Sequence, residues 1–400
     1  MAFASMAGSR SLSALTRVIA MGAFFLGAGS GAALAAGCGQ TLEPGRHEFS
    51  IRSTDAMRSG MYFIPSSYTG KDKLPLVFDF HGSDSNPNGQ LNRSSWDKVA
   101  ERNGFIVVAL QGSLPGNFEG THAWNVPLVT QKEGGLDEVG FISSALSQVK
   151  KEFCVDPSRI YASGYSGGGR MLSHYICSGH GDFTAAGFVH SLRAGAPVEV
   201  DGKWRPGTCS PARPISIMAF AGEKDSANPY AGGGKAYWQY GFKTAVQRWS
   251  ELSGCNGGAK VEAAGSVTYG IYDTCKNGAR IASYVFADGT HAWPRPSATE
   301  SVLAANAEAQ AGLVKVAAAG AKPSFNPSID PAERMWDFFQ KADRSDVVAT
   351  VAPAGATADA SCTAATTGAA QGADPQGTSC SSNQQPIQAR RSAQGAKDAL

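Results

Sequence analysis

The stretch "RIYASGYSGGGRMLSHYICS" (residues 159–178) runs in like a β-strand and out like a helix, with one serine crowded by glycine between the two. Ile160, Tyr161 and Ala162 form an apolar run that stops at Gly164. From Gly167 the spacing of Met171, Leu172, Tyr175 and Ile176 is helical. Glycine weakens both kinds of element, so packing does not explain why Gly164, Gly167 and Gly168 surround Ser166. A strained strand-to-helix turn does. The pattern Gly-x-Ser-x-Gly in that setting exposes a serine hydroxyl at the top of a sheet, and Gly164 and Gly168 keep Cβ atoms out of the close strand–helix approach. The N–H of Gly167, at the helix start, is free to donate to a developing oxyanion, where the helix dipole also favours negative charge. A linker serine or a phosphate-binding turn would be the bland alternative, and neither needs this flanking pair of elements.

On either side of this stretch the chain alternates strands and helices. "LPLVFDFHG" (74–82), "GFIVVAL" (104–110), "PISIMAFAG" (214–222) and "ARIASYVFADG" (279–289) are short apolar runs, expected as buried strands. "LDEVGFISSALSQVKKEF" (136–153), "AYWQYGFKTAVQRWSEL" (236–252) and "DPAERMWDFFQKA" (330–342) are expected as helices, with Asp137 capping the first and Pro331 suited to the first turn of the last. "HEFSIRS" (47–53) and "SGMYFIP" (59–65) alternate like an antiparallel pair at a sheet edge. The class this predicts is α/β: a mostly parallel central sheet with helices on both faces.

A serine nucleophile needs a base and an acid to orient it, in the chain order Ser, Asp, His on such a sheet. His291, in "VFADGTHAWP" (285–294), follows the last strand and is the only histidine after His190. Asp225, in "MAFAGEKDSANPY" (218–230), follows another strand at the same end of the sheet, where catalytic groups gather. Asp273 and Asp288 are its rivals, but Asp288 lies only three residues before His291 and Asp273 sits beside Cys275. The loop "FDFHGSDSN" (78–86) offers the backbone N–H of Ser83 as a second oxyanion donor, with His81 a structural loop residue. Trp124 and Trp293 are candidates for an aromatic wall around substrate. This chemistry requires neither metal nor cofactor.

The first residues read as a targeting segment. Arg10 and Arg17 precede the apolar run 18–29, and Ala33-Leu34-Ala35 is a small-x-small site, so residues 1–35 are expected to be a signal peptide rather than a membrane anchor. Removing them leaves 33 basic and 33 acidic residues, from 35 and 33, a balance that recommends neither nucleic acid nor an anionic membrane as partner. Cys38 behind Ala36-Gly37 is a weak match to a lipoprotein site. The eight cysteines suit disulfides in an exported chain. Cys255 and Cys275 flank a short excursion and are expected to pair. Topology favours Cys177 with Cys209 and Cys38 with Cys154, and Cys362 can pair with Cys380. No His-x-x-x-His or Cys-x-x-Cys spacing suggests a metal site. Residues 36–342 are expected to form one catalytic domain, with an alanine-rich helical insertion at 297–322. Residues 343–400, poor in large apolar side chains, are expected to be disordered.

With these pieces in place the chain resembles secreted feruloyl esterases and their relatives, the polyhydroxybutyrate-depolymerase-like esterases of the α/β-hydrolase fold. The resemblance spans about residues 38–342 and rests on "CGQTLEPGRHEFSI" (38–51), "LVFDFHGS" (76–83), "NGFIVVALQG" (103–112), "FCVDPSRIYASGYSGGGRM" (153–171), "NPYAGG" (228–233), "DGTHAWP" (288–294) and "WDFF" (336–339). It implies Ser166, Asp225 and His291 as a triad. The implied substrate is an ester, commonly an aromatic acid on plant cell-wall sugar. Polyhydroxyalkanoate depolymerase and acetylxylan esterase are the neighbouring specificities. A different class, a secreted binding protein on a degenerate hydrolase fold, would lack the intact serine, acid and histidine. The chain departs from the family at Ala221-Gly222-Glu223, where His-Gly-Thr is usual, and in the 297–322 insertion.

Overall fold

The computed structural model describes residues 37–54, 56–295 and 329–342. The expected signal peptide, the 297–322 insertion, the 343–400 tail and the Cys362–Cys380 pairing lie outside these residues.

One ten-stranded sheet organises them. Its strands in chain order are β1 (Gly45–Arg52), β2 (Met57–Ile64), β3 (Leu74–Phe80), β4 (Ile106–Leu110), β5 (Val155–Tyr165), β6 (Ala185–Val189), β7 (Ser216–Gly222), β8 (Lys260–Ala264), β9 (Val267–Tyr272) and β10 (Ile281–Phe286). In space the order is β1-β2-β4-β3-β5-β6-β7-β10-β9-β8. From β4 across to β10 every neighbour is parallel, and antiparallel pairs close both edges. The helices are α1 (Pro87–Ser94), α2 (Trp96–Asn103), α3 (Glu138–Glu152), α4 (Gly167–Cys177), α5 (Phe242–Leu252) and α6 (Pro331–Phe339). Two separate apolar clusters cover the two faces of the sheet. Parallel strands buried on both faces are why β3, β4 and β7 read as unbroken apolar runs. This layout, with its serine at the strand–helix junction, is the α/β-hydrolase fold.

Several elements escape the sequence reading. β6 is "AAGFV", and its small residues have low strand propensity. They are required by packing: a Cβ on Gly187 would stand 1.9 Å from the Met335 sulfur. α6 therefore lies directly on the strand, and its Trp336 and Phe339 stack on Phe105 and Tyr161, with centroids 4.0 and 5.0 Å apart. The single helix expected over 236–252 is instead a 3₁₀ turn (Ala236–Trp238) followed by α5. The Tyr240 carbonyl accepts a hydrogen bond from Arg193 Nη1 at 2.8 Å, which withdraws it from a helical ladder. The antiparallel hairpin β8–β9 at the far edge was also not anticipated.

α3 begins as expected, with Asp137 accepting the Gly140 N–H at 2.9 Å, and α6 carries Pro331 in its first turn. Disulfides join Cys38 to Cys154, Cys177 to Cys209 and Cys255 to Cys275, the three expected pairings. Closing loops of these lengths stabilises by about 3–5 kcal/mol each in the chain-entropy account, and such bonds persist in an oxidising compartment. Cys38 spends its sulfur on Cys154, which leaves none for a lipid thioether. Among the described residues no helix is long and apolar enough to cross a membrane.

Asp79 is a buried carboxylate near the C-terminal end of β3 that accepts from Ser163, Ser94 and Gln90. Burial raises its pKa from 3.8 to about 6 against the pull of those donors. Its contribution to stability is therefore full at acid pH, below the unfolded value, and is lost as pH rises through about 6. Asp79→Asn should remove that slope: little change in urea midpoint near pH 4, and a gain approaching about 3 kcal/mol near pH 8. An effect of the same size at both pH values would show that lost hydrogen bonds, not ionisation, dominate.

Candidate active site

β5 delivers Ser166 to the sheet's C-terminal rim and α4 leaves immediately behind it. Ser166 sits at φ 49°, ψ −115°, a conformation that costs an L-residue about 1–3 kcal/mol and persists only where the surroundings enforce it. The glycines explain how they do. A Cβ on Gly168 would stand 2.2 Å from the Phe80 carbonyl oxygen, and one on Gly164 2.6 Å from the Gly169 Cα. Strand and helix approach too closely for any side chain there.

Three loops at the rim complete the constellation. His291, after β10, places Nε2 2.9 Å from Ser166 Oγ. Its Nδ1 stands 2.8 Å from Asp225 Oδ2, on the loop after β7. Asp225 is buried, and its Oδ1 accepts the N–H groups of Ala227 and Asn228 at 2.9 and 2.8 Å. Burial would push this carboxyl up. The His291 hydrogen bond, the Asn228 N–H and the charges of His291 and His190 outweigh it and hold it below the usual carboxylate range. Asp225 is thus a committed anion that accepts the imidazole Nδ1–H, which leaves Nε2 free to accept from the serine. The rival acids are elsewhere: Asp288 pairs with Lys224 and Asp273 with Lys260, all at the surface.

The loop after β3 lies against the start of α4. The point where a Gly167 Cβ would stand is 3.0 Å from the Ser83 nitrogen. Neither the Gly167 nor the Ser83 N–H donates to another protein group among the described residues. His81 braces the loop from beneath. Its Nε2 accepts the Gly112 N–H at 3.0 Å, so Nδ1 carries the proton and donates to the Gly82 carbonyl at 2.7 Å. Burial lowers its pKa to about 4, so it stays neutral.

Of the two tryptophans, Trp124 requires correction. Trp124 is 1% exposed, packs on Phe80 and His81 and donates its indole N–H to the His81 carbonyl at 2.8 Å. It holds the Ser83 loop from the core side and offers no face to a substrate. Trp293 is 6% exposed; it packs beside Tyr165, centroids 6.0 Å apart, and edges a cavity of about 320 Å³ shared with His190 and Thr290.

Three supporting residues went unrecognised in the sequence. Tyr165 donates its hydroxyl to the His291 carbonyl at 2.6 Å. His190 ends β6 with φ 53° and lies under the His291 loop, donating from Nε2 to the Ala292 carbonyl at 2.9 Å. Its Nδ1 faces Asp225 Oδ2 at 3.4 Å, and burial and the charge of His291 lower its pKa to about 4. Asn228 ties the Asp225 loop to β6 by donating to the His190 carbonyl at 2.6 Å. The Gly-x-Ser-x-Gly signal says nothing of these groups, because each contributes through a fold contact at long sequence separation. Among the described residues no group of three or more His, Cys, Asp or Glu side chains is placed to hold a metal ion.

Fold and site together define an α/β-hydrolase with a serine–histidine–aspartate constellation at the sheet's C-terminal rim. By sequence the chain is related to feruloyl esterases. It is 32% identical over 236 residues to feruloyl esterase B of Piromyces equi, covering 57% of this chain and 41% of that one. It is 26% identical over 257 residues to a probable feruloyl esterase C of Aspergillus niger, covering 61% and 84%. A bifunctional acetylxylan esterase/xylanase of Neocallimastix patriciarum is 26% identical over 179 residues, 45% of this chain and 23% of that one. The chain thus spans less than half the length of the first and last of these relatives. No family model matches it. Among solved structures, acetyl xylan esterase from Aspergillus awamori aligns with 62% of this chain and 93% of that one, at a TM-score of 0.42 and 14% identity.

Proposed function

We propose that this chain is a secreted serine esterase that hydrolyses carboxylic esters through an acyl-enzyme, with hydroxycinnamoyl esters of plant cell-wall polysaccharide as its substrates. The observation that carries the reading is the unbroken relay from Ser166 Oγ to His291 Nε2 and from His291 Nδ1 to Asp225, at 2.9 and 2.8 Å, beside two N–H groups without a partner among the described residues. Ser166 attacks the ester carbonyl as His291 takes its proton. Asp225 holds the imidazole tautomer and stabilises the imidazolium. The N–H groups of Gly167 and Ser83 receive the developing oxyanion, where one such donor is worth about 3 kcal/mol. His291 then returns the proton to the departing alcohol, and water, activated by the same histidine, releases the acid. Residues 36–342 are the catalytic domain in this reading, residues 1–35 direct export, and the disulfides suit the destination.

The resemblance to feruloyl esterases supports the acyl preference, and a panel tests it: methyl hydroxycinnamates beside nitrophenyl acetate and butyrate, with Ser166→Ala as control. Hydroxycinnamate turnover lost in the variant is the expected result. Turnover of short acyl esters alone would move the substrate to acetylated sugar or polyester and leave the mechanism standing. No ester turnover would reject the reading. Trp293 follows His291 by two residues and edges the cavity beside it, so Trp293→Ala should raise KM for aromatic esters several-fold more than for acetate esters; equal rises would confine it to packing.

A further inference from the structure

Three arginines of this fold are buried, and the contrast among them is informative. Arg58, 5% exposed, meets Glu138 at 2.6 Å and the Gln111 carbonyl at 3.1 Å. That is how a buried guanidinium is ordinarily satisfied. Arg170 and Arg193 are 4% and 3% exposed, and among the described residues neither has a carboxylate partner. Arg193 donates from Nη1 to the Tyr240 carbonyl, but its Nε and Nη2 donate to nothing. The Arg170 guanidinium makes no hydrogen bond among the described residues, with its Nε sealed from solvent. Aromatic faces lie against both: Tyr237 is 4.1 Å from Arg170, and Trp238 and Tyr240 are 3.3 and 4.1 Å from Arg193. Burial lowers both, Arg193 to about 10 with help from the charge of Arg170, so both remain cations at neutral pH.

Two buried cations side by side without an anion cost several kcal/mol each, and the fold keeps them around a space. Both line a cavity of about 300 Å³, with Ser173 and Thr208 as further polar groups and Val126 and Leu128 as apolar wall. Arg170 follows Ser166 by one helical turn, a rise of about 5–6 Å. Its Nη2 is 3.5 Å from the point where a Gly167 Cβ would stand, so it reaches the same corner as the Ser83 and Gly167 N–H groups.

We propose that this cavity is an anion subsite that takes a carboxylate carried by the ester substrate. The planar forks of Arg170 and Arg193 match a carboxylate's two oxygens, and the aliphatic wall of Val126, Leu128 and Val129 takes the ring that bears it. Nothing in the triad calls for such a site. Resting on the esterase reading, it narrows the substrate class to esters bearing a free acid. That acid stands either on the acyl side, as in a half-ester of a dicarboxylic acid, or on the alcohol side, as where the acyl group sits on a hydroxyl of a uronic acid whose carboxyl is free.

Two matched substrate pairs separate these sources: monomethyl against dimethyl terephthalate for the acyl side, and 4-carboxyphenyl against 4-carbamoylphenyl acetate for the alcohol side. The expected result is a kcat/KM ratio favouring the acid by about tenfold or more in one pair, the size of a charge-assisted hydrogen bond. That ratio should collapse towards one in Arg170→Gln and Arg193→Gln. A wild-type preference for the neutral member of both pairs overturns the proposal without any variant, and so does an acid preference that survives both replacements. Calorimetric titration of the full-length Ser166→Ala protein with benzoate and benzamide asks the same question without turnover. Selective benzoate binding, lost in Ser166→Ala/Arg170→Gln, supports the subsite even if no ester is hydrolysed; equal binding of the two, or none, rejects it even if esters are.

Discussion

Ser166→Ala should lower kcat for nitrophenyl acetate about 10⁶-fold, leaving only what oxyanion donors and binding supply. The size follows from removing the only atom that forms a bond to the substrate in the proposed reaction, at a distance of 2.9 Å from its base. Because Ser166 and His291 act as one unit, adding His291→Ala to Ser166→Ala should reduce the rate little further, although His291→Ala alone would be nearly as damaging. Stopped-flow traces provide a second reading: the wild-type chain should release a stoichiometric burst of nitrophenol, and the variant none. The folded state should not suffer. The turn that holds Ser166 at φ 49° makes the same backbone demand of alanine, so Tm should stay about level. A variant that kept even a hundredth of the activity would place the nucleophile elsewhere.

Asp225→Asn should lower kcat about 10⁴-fold while leaving the backbone in place. The reason is a tautomer. Two N–H groups, from Ala227 and Asn228, point at one carboxylate oxygen, so the amide oxygen of asparagine must take that position and its NH₂ must face His291 Nδ1. The imidazole then accepts at Nδ1 and carries its proton on Nε2, towards the serine hydroxyl it should deprotonate. The loss should therefore fall on kcat, with KM little changed, and shrink as pH rises and hydroxide or an ionised serine takes over the task. His190 does not rescue the variant, since its Nε2 already donates to the Ala292 carbonyl and its ring is held neutral by burial. A loss below about tenfold would mean that another acid, such as Asp288, orients the histidine, and the surface pair of Asp288 with Lys224 argues against that.

Much of this arrangement was legible in the chain because its signals are local. An apolar run flanked by glycine, a serine between a strand and a helix, an aspartate and a histidine just beyond later strands, and a proline at a helix start each act within a few residues. Continuous apolar strands alternating with helices allow few stable layouts, so the α/β class and the rim that collects the site followed from the pattern alone. Even the cysteine pairings yielded to this logic, since the ends of strands and helices sort onto opposite rims of a parallel sheet.

What remained hidden was decided by contacts at long sequence separation. β6, rich in alanine and glycine, carries no strand signal of its own, and its small residues are explained only by Met335 packed against Gly187. A helix across 236–252 satisfied every local rule, and Arg193 broke it from forty-seven residues away by claiming the Tyr240 carbonyl. Trp124, a candidate for an aromatic wall around substrate, is a core brace, because an indole beside a loop looks the same in sequence whichever way it turns. The approach of His190 to Asp225, and the meeting of Arg170 with Arg193 around a cavity, have no sequence signature at all. Sequence periodicity reports which residues are buried, since burial repeats with the element. It cannot report which buried polar groups meet, because that depends on how separate elements dock, and in this chain those meetings orient the histidine, hold the acid's loop and leave two cations waiting for an anion.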